Sequence, residues 1–311
     1  MNLSDNTAVE RDGPEPKVGL FYRWLPFMRW TPSDPERLQS AEEELISFLK
    51  TPSDGFYVNV GDVHGSPCRL WTRVFTAPNT DPGLAPLVMM HGMGAGSGLW
   101  ALNIDSLAAG QKRPIVTVDL PGFARSSRCY FSKDAAEAET QLILAIDLWR
   151  RALGLEKIIL LGHSFGGYLT GCYALKYPEH LEAVVLVDPW GMTGKPADII
   201  AQYNPSLGFK MLFSVVKRFN PLAFLRASGP IGPRVLPRAR PDLFQKFFDL
   251  MGEEEARRII PAYLYHCNAH TPAGEAAFHR WALSFKSWSF SNFLKWACCI
   301  IIRSFLTQFS S

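Results

Sequence analysis

Residues 157–168 read KIILLGHSFGGY, and no other stretch restricts the fold as much. Ile158–Leu161 has the length and the apolar side chains of a strand buried on both faces. Gly162, Ser164 and Gly166 follow at alternate positions, and Tyr168–Lys176 then reads as a helix. A strand that passes into a helix through so tight a turn needs flanking residues without Cβ atoms, because the two elements approach closely. The turn also lifts the serine side chain clear of the sheet, on a strained backbone. A buried strand feeding a helix in this way belongs to a parallel sheet with right-handed crossovers.

The same alternation runs on either side of this turn. Leu87–Met90, Ile115–Asp119 and Ala183–Val187 read as further buried strands, and a helix is predicted over about Glu137–Leu153. Earlier, Phe56–Val60 and Cys68–Phe75 are rich in β-formers, with Gly-Asp and Gly-Ser-Pro turns around them. Ser33 or Asp34, placed before Pro35, caps a helix predicted to end near Lys50. The order predicts an α/β fold around a mostly parallel sheet. From residue 191 to 285 the pattern changes to prolines, aromatics and helical stretches such as Pro241–Met251 and Glu253–Tyr265. That is the pattern of a helical cap inserted into a sheet. The sheet is expected to resume after it, but residues 287–311 read SWSFSNFLKWACCIIIRSFLTQFSS, so the last strands are expected to be missing. Four segments result: an N-terminal region (1–50), an α/β core (51–190), a cap (191–285) and an atypical apolar tail (286–311).

Ser164 is the candidate nucleophile, with Gly162 and Gly166 as its flanking glycines. A free hydroxyl is a weak nucleophile, so it needs a base within hydrogen-bond reach and a third group that orients the base. His91-Gly92-Met93-Gly94 follows an earlier strand, where the backbone N–H groups of Met93 and Phe165 are placed to bind a developing oxyanion. His91 and His163 are locked inside these motifs and read as structural. Asp188 ends the strand after the turn and has two readings: an acid that orients a base, or a turn residue before Pro189. Asp119 also ends a strand, but the LPGFARSS after it reads as a structural loop. In this order of elements the base belongs on a loop after the final strand. The histidines after Asp188 are His266, His270 and His279, all in the cap-like segment, where a hydrogen-bonded structural role is the ordinary one. No cysteines are spaced for metal binding, and no cofactor is predicted.

These motifs resemble one branch of the α/β-hydrolase-domain family, the branch of the lyso-N-acylphosphatidylethanolamine lipase and the adipose triglyceride lipase coactivator. The matching stretches are WLPFMRWTPS (24–33), PLVMMHGMGAGSGLWALN (86–103), DLPGFARSSR (119–128), LLGHSFGGYL (160–169), LKYPEHLEAVVLVDPWG (175–191), NPLAFLRASGP (220–230) and YLYHCNAHTPAGEAAF (263–278). The resemblance implies an α/β-hydrolase fold and a serine hydrolase acting on acylated phospholipids or lysophospholipids. It also implies a place at membrane or lipid-droplet surfaces, with a lipase or droplet-coat protein as partner. The coactivator carries Asn at the nucleophile position, so Ser164 sides with the lipase. The family's late acid, base and His-x-x-x-x-Asp segment, the last linked to lysophosphatidic-acid acyltransferase activity, have no counterparts here. The expectation is therefore a lipase lineage, with little turnover from this chain as written. A non-catalytic scaffold or lipase coactivator is the alternative. Trp288–Ser311 is expected to replace the family's usual ending, at a cost in stability.

A formal net charge of +3 carries no nucleic-acid signature. Arg234, Arg238 and Arg240, with Arg257 and Arg258, read either as a solvated face or as a contact for anionic headgroups. Trp24, Phe27 and Trp30 alternate with Arg23 and Arg29 in a run too short to span a bilayer. They suit the headgroup boundary, or else pack on the domain. Residues 1–19 are polar and expected to be disordered, with no apolar core of a signal peptide. Cys172, set in an apolar helix, reads as a reduced core thiol, and a cytosolic location at membranes or droplets is expected.

Overall fold

In the computed structural model, residues 9–10, 34–63, 65–191 and, with short gaps, 222–278 are described. Trp24, Phe27, Trp30, His279 and residues 286–311 lie outside them. The strands are β1 (Val9–Glu10), β2 (Ser53–Asp62), β3 (Pro67–Phe75), β4 (Leu87–Met90), β5 (Ile115–Val118), β6 (Ile158–His163) and β7 (Leu181–Val187). The helices are α1 (Pro35–Ile46), α2 (Ala101–Gly110), α3 (Ala135–Ala152), α4 (Phe165–Lys176), α5 (Gly232–Ala239), α6 (Pro241–Gln245), α7 (Phe248–Met251) and α8 (Glu253–Ala269). The sheet order is β1-β2-β3-β5-β4-β6-β7. β2 and β3 form an antiparallel hairpin that pairs antiparallel with β5, while β5, β4, β6 and β7 run parallel.

The central strands β4 and β5 are buried at every position. Successive side chains point to opposite faces of a strand, so each strand feeds two cores. Val88, Met90, Val116 and Val118 meet α3 and α4 through Leu142, Ile146, Trp149, Phe165 and Leu169. Leu87, Met89 and Ile115 meet Ile46, Ile104 and Ala108 on the other face. α1 is capped by Asp34, whose carboxylate accepts from the Glu36 N–H at 3.0 Å, with Pro35 at the first helical position. It packs against α8 through Leu38, Leu45, Ile259 and Tyr263.

A buried polar network fastens α1 to the sheet. The Glu42 carboxylate accepts from Trp71 Nε1 at 2.8 Å and Arg73 Nε at 3.2 Å, and Arg125 Nη1 stands 3.5 Å from its other oxygen. The Arg125 guanidinium lies 3.4 Å from the Trp71 ring centroid. Burial pushes the Glu42 carboxyl upward, against the pull of Arg125 and Arg73.

Several local readings are corrected. α1 ends at Ile46 rather than near Lys50, because Ser47–Leu49 close into a turn on the Glu43, Leu45 and Ile46 carbonyls. The stretch 241–251 breaks at Lys246–Phe247 into two short helices. α8 runs on to Ala269 through Pro261, whose buried packing outweighs the backbone bond it cannot make. Val9–Glu10, in the segment expected to be disordered, pairs with Val58 and Tyr57, since an open strand edge offers backbone groups to any extended segment. Cys68 and Cys129 form a disulfide across 61 residues, with Cα atoms 6.0 Å apart, whereas Cys172 and Cys267 are buried thiols. Cys172 is thus the buried thiol its helix predicts, while the bonded pair is not anticipated: the loop after β5 returns over the start of β3, a contact that spacing does not reveal. Among the described residues the sheet ends at β7, where Val185 and Val187 are 39% and 38% exposed. Among the same residues no helix is long and apolar enough to cross a membrane.

Candidate active site

The passage from β6 to α4 is as tight as its glycines predict. A Cβ on Gly162 would collide with the Gly166 carbonyl and the Thr170 hydroxyl. One on Gly166 would lie 2.5 Å from the His91 carbonyl oxygen and 2.6 Å from that of Met90. Between them Ser164 has φ 52°, ψ −114°, a backbone conformation that L residues with side chains rarely adopt. The surroundings hold it there: the Ser164 N–H donates to the Val187 carbonyl at 3.0 Å. The Ser164 carbonyl accepts from Tyr168 N at 3.0 Å and from Trp190 N at 2.9 Å. The Asp188-Pro189-Trp190 turn is thus laced to the elbow. Phe165 is the first residue of α4, where the helix dipole favours negative charge.

Facing Ser164 is the turn after β4. A Cβ on Gly92 would lie 3.1 Å from Ser164 Cβ, so this backbone abuts the serine. His91 is fully buried beside it. Its Nε2 accepts from the Leu120 N–H at 3.0 Å, which puts the ring proton on Nδ1, 2.8 Å from the Gly92 carbonyl. Burial pushes the His91 pKa down to about 4, so the ring is neutral at physiological pH. His91 is therefore structural, as its motif implies. His163 is exposed, with its ring edge-on to Trp100 at 6.5 Å.

Asp119 is a second organiser that the sequence reading treated only as part of a loop. It is fully buried, and its carboxylate accepts from Ser97 N at 2.7 Å and Arg125 N at 2.9 Å. It thereby joins the loop after β4 to the loop after β5. Burial raises its carboxyl, and those backbone bonds oppose the rise. A carboxylate ending a strand just before a Pro-Gly turn was the available signal.

The acid–base side is different. Asp188 is exposed with φ 44°, and among the described residues its carboxylate accepts no hydrogen bond. The Ser164 hydroxyl, half-buried, has no hydrogen-bond partner among the described residues either. His266 is buried on α8 with Nδ1 unpartnered among the described residues, and burial lowers its pKa. His270, at the end of α8, lines a small cleft with Arg128, Asn268 and Glu275, and burial takes its pKa to about 3. Among the described residues neither ring hydrogen-bonds to Ser164.

Comparison with known proteins agrees with this fold. Residues 85–219 match the family described as alpha/beta hydrolase fold. Over 249 residues the chain is 41% identical to the (Lyso)-N-acylphosphatidylethanolamine lipase of Mus musculus, covering 80% of this chain and 69% of that protein. It is similarly 40% identical to the protein of that name from Homo sapiens. Over 242 residues it is 39% identical to the 1-acylglycerol-3-phosphate O-acyltransferase ABHD5 of Mus musculus, covering 78% of this chain and 65% of that one.

Proposed function

This chain belongs to the α/β-hydrolase family, among relatives of the lyso-N-acylphosphatidylethanolamine lipase, and on that premise we propose that it is a serine lipid hydrolase. The reaction moves the acyl group of an N-acyl or lyso phospholipid to Ser164 Oγ and then to water. Attack forms the Oγ–carbonyl bond while the hydroxyl proton leaves Oγ. Collapse of the tetrahedral adduct breaks the ester bond, and the proton goes to the departing alkoxide; water then cleaves the acyl-serine. The N–H groups of Met93 and Phe165 receive the oxyanion, where preformed donors are worth about 3 kcal/mol each. The observation that carries this reading is Ser164 itself, held at φ 52° by hydrogen bonds from both sides and abutted by Gly92. Residues 51–190 act as the core and 191–285 as the cap over the site. Trp24, Phe27 and Trp30 engage the surface of a membrane or lipid droplet.

The test is release of fatty acid from vesicles containing lyso-N-acylphosphatidylethanolamine, with Ser164→Ala beside the unaltered chain. Release that depends on Ser164 supports the reading; equal release from both proteins removes it.

A second reading is a lipid-surface scaffold that recruits a lipase. It is favoured by the Ser164 hydroxyl, which has no basic partner among the described residues. Vesicle binding and lipase stimulation that both survive Ser164→Ala, without acyl release, would establish it in place of the first.

A further inference from the structure

We infer that Asn268 is a positioning residue for the oxyanion donor: from α8 it fixes the turn that aims the Met93 N–H. This rests on the reading of Met93 as that donor.

The Ala95 N–H returns to the Gly92 carbonyl at 3.3 Å, closing a four-residue turn with Gly94 in its third position at φ +73°. That is the geometry of a type II turn, which demands a residue at ease with positive φ. The Gly92 carbonyl is also held by His91 Nδ1 at 2.8 Å. Gly92 C=O and Met93 N–H belong to one trans peptide and point in opposite directions. Whatever draws the carbonyl toward His91 therefore turns the Met93 N–H away from it.

The other end of the turn is the Gly94 carbonyl, and its partner is a side chain 174 residues away. Asn268 Nδ2 donates to Gly94 O at 2.8 Å and to Leu264 O, one helical turn back, also at 2.8 Å. Both amide hydrogens are used, so the side chain has one orientation rather than two. Asn268 is only 6% exposed, and Arg226, paired with Glu275 at 2.5 Å, donates to its carbonyl at 3.2 Å. Asn is a poor residue for a helix interior, where an apolar side chain would serve packing better. What it supplies here is the donor, for without it the Gly94 carbonyl loses its bond to α8. The same helix holds the loop again through Tyr263, whose hydroxyl accepts from Gly98 N at 2.8 Å.

The test uses the full chain carrying Asn268→Ala and, separately, Asn268→Asp, which keeps the shape and removes both donors. Amide hydrogen exchange is followed across residues 92–98, together with phosphonylation of Ser164 by a fluorophosphonate. The expected result is exchange at Ala95 faster by about tenfold, confined to the turn. The limiting rate of phosphonylation falls by about tenfold while the half-saturating probe concentration is unchanged. Asn268→Gln, which keeps an amide donor, recovers part of both. Unchanged exchange at Ala95 in Asn268→Asp overturns the proposal, as does acceleration spread evenly over β4 and α8. A chain that is never phosphonylated overturns the hydrolase reading instead, and hydrogen exchange still decides the role of Asn268.

Discussion

Two regions of the molecule are built on opposite terms. On one side stand the elbow and the turn after β4, where the Ser164 backbone bonds to Val187, Tyr168 and Trp190 while His91 and Asp119 tie the neighbouring loops. The residues that could handle protons are placed otherwise: among the described residues the exposed Asp188 carboxylate accepts no hydrogen bond, and His266 is buried on α8 with Nδ1 unpartnered. On the proposed function the first region handles charge with backbone N–H groups, which a tight fold supplies wherever glycine lets two elements meet. The second must handle protons, which takes side chains delivered from distant parts of the chain. On the proposed function, the described residues thus supply the charge-binding half of a hydrolase site and not the proton-handling half.

The largest effect that would sharpen this contrast is expected at Gly166. Its added Cβ meets backbone carbonyl oxygens that cannot swing aside, so Gly166→Ala should cost about 3 kcal/mol or more. Urea unfolding checks this. A variant as stable as the parent would mean that the close approach of β4 to α4 is not needed.

The next effect concerns His91. Its folded pKa of about 4 lies below the ordinary 6.5. The unfolded chain then binds more protons between these values, so this contribution is complete above pH 6.5 and is lost as pH falls toward 4. The loss amounts to about 3 kcal/mol. Glu42 and Asp119, both raised by burial, act in the opposite sense in acid. The measure is thus the difference in unfolding free energy between the parent and His91→Gln across that range. A difference that does not vary with pH would contradict a buried neutral His91.

How far the sequence reveals each region follows from chain distance. The strands β4, β5 and β6 are legible because they are short apolar runs buried on both faces, and the elbow because its glycines sit within five residues of each other. α2 escapes notice because its sequence, ALNIDSLAAG, has no clear polar face and follows a glycine-rich loop. The contacts of Asn268 with Gly94 and of Tyr263 with Gly98 join residues more than 160 positions apart, and no local pattern encodes them. The Cys68–Cys129 bond is hidden for the same reason. Asp188 was legible as the residue ending a strand, but not as an exposed one, since exposure depends on what covers β7.

The smallest effects are expected in the second region. His266→Ala, His270→Ala and Asp188→Asn should each change the phosphonylation rate of Ser164 by less than about twofold, since among the described residues none of these side chains hydrogen-bonds to it. A much larger loss in His270→Ala would break the comparison, placing the missing base in the cleft beside Arg128.

The central claim is that the elbow presents Ser164 in a reactive geometry while no described residue serves as its base, so that Ser164 reacts, but slowly. The most direct test is phosphonylation of the purified full chain by a fluorophosphonate, with Ser164→Ala alongside and folding checked by circular dichroism. Slow modification, mapped to Ser164 and absent from the variant, is the predicted result. A folded chain that is not modified, or a Ser164→Ala protein modified as readily as its parent, would contradict it.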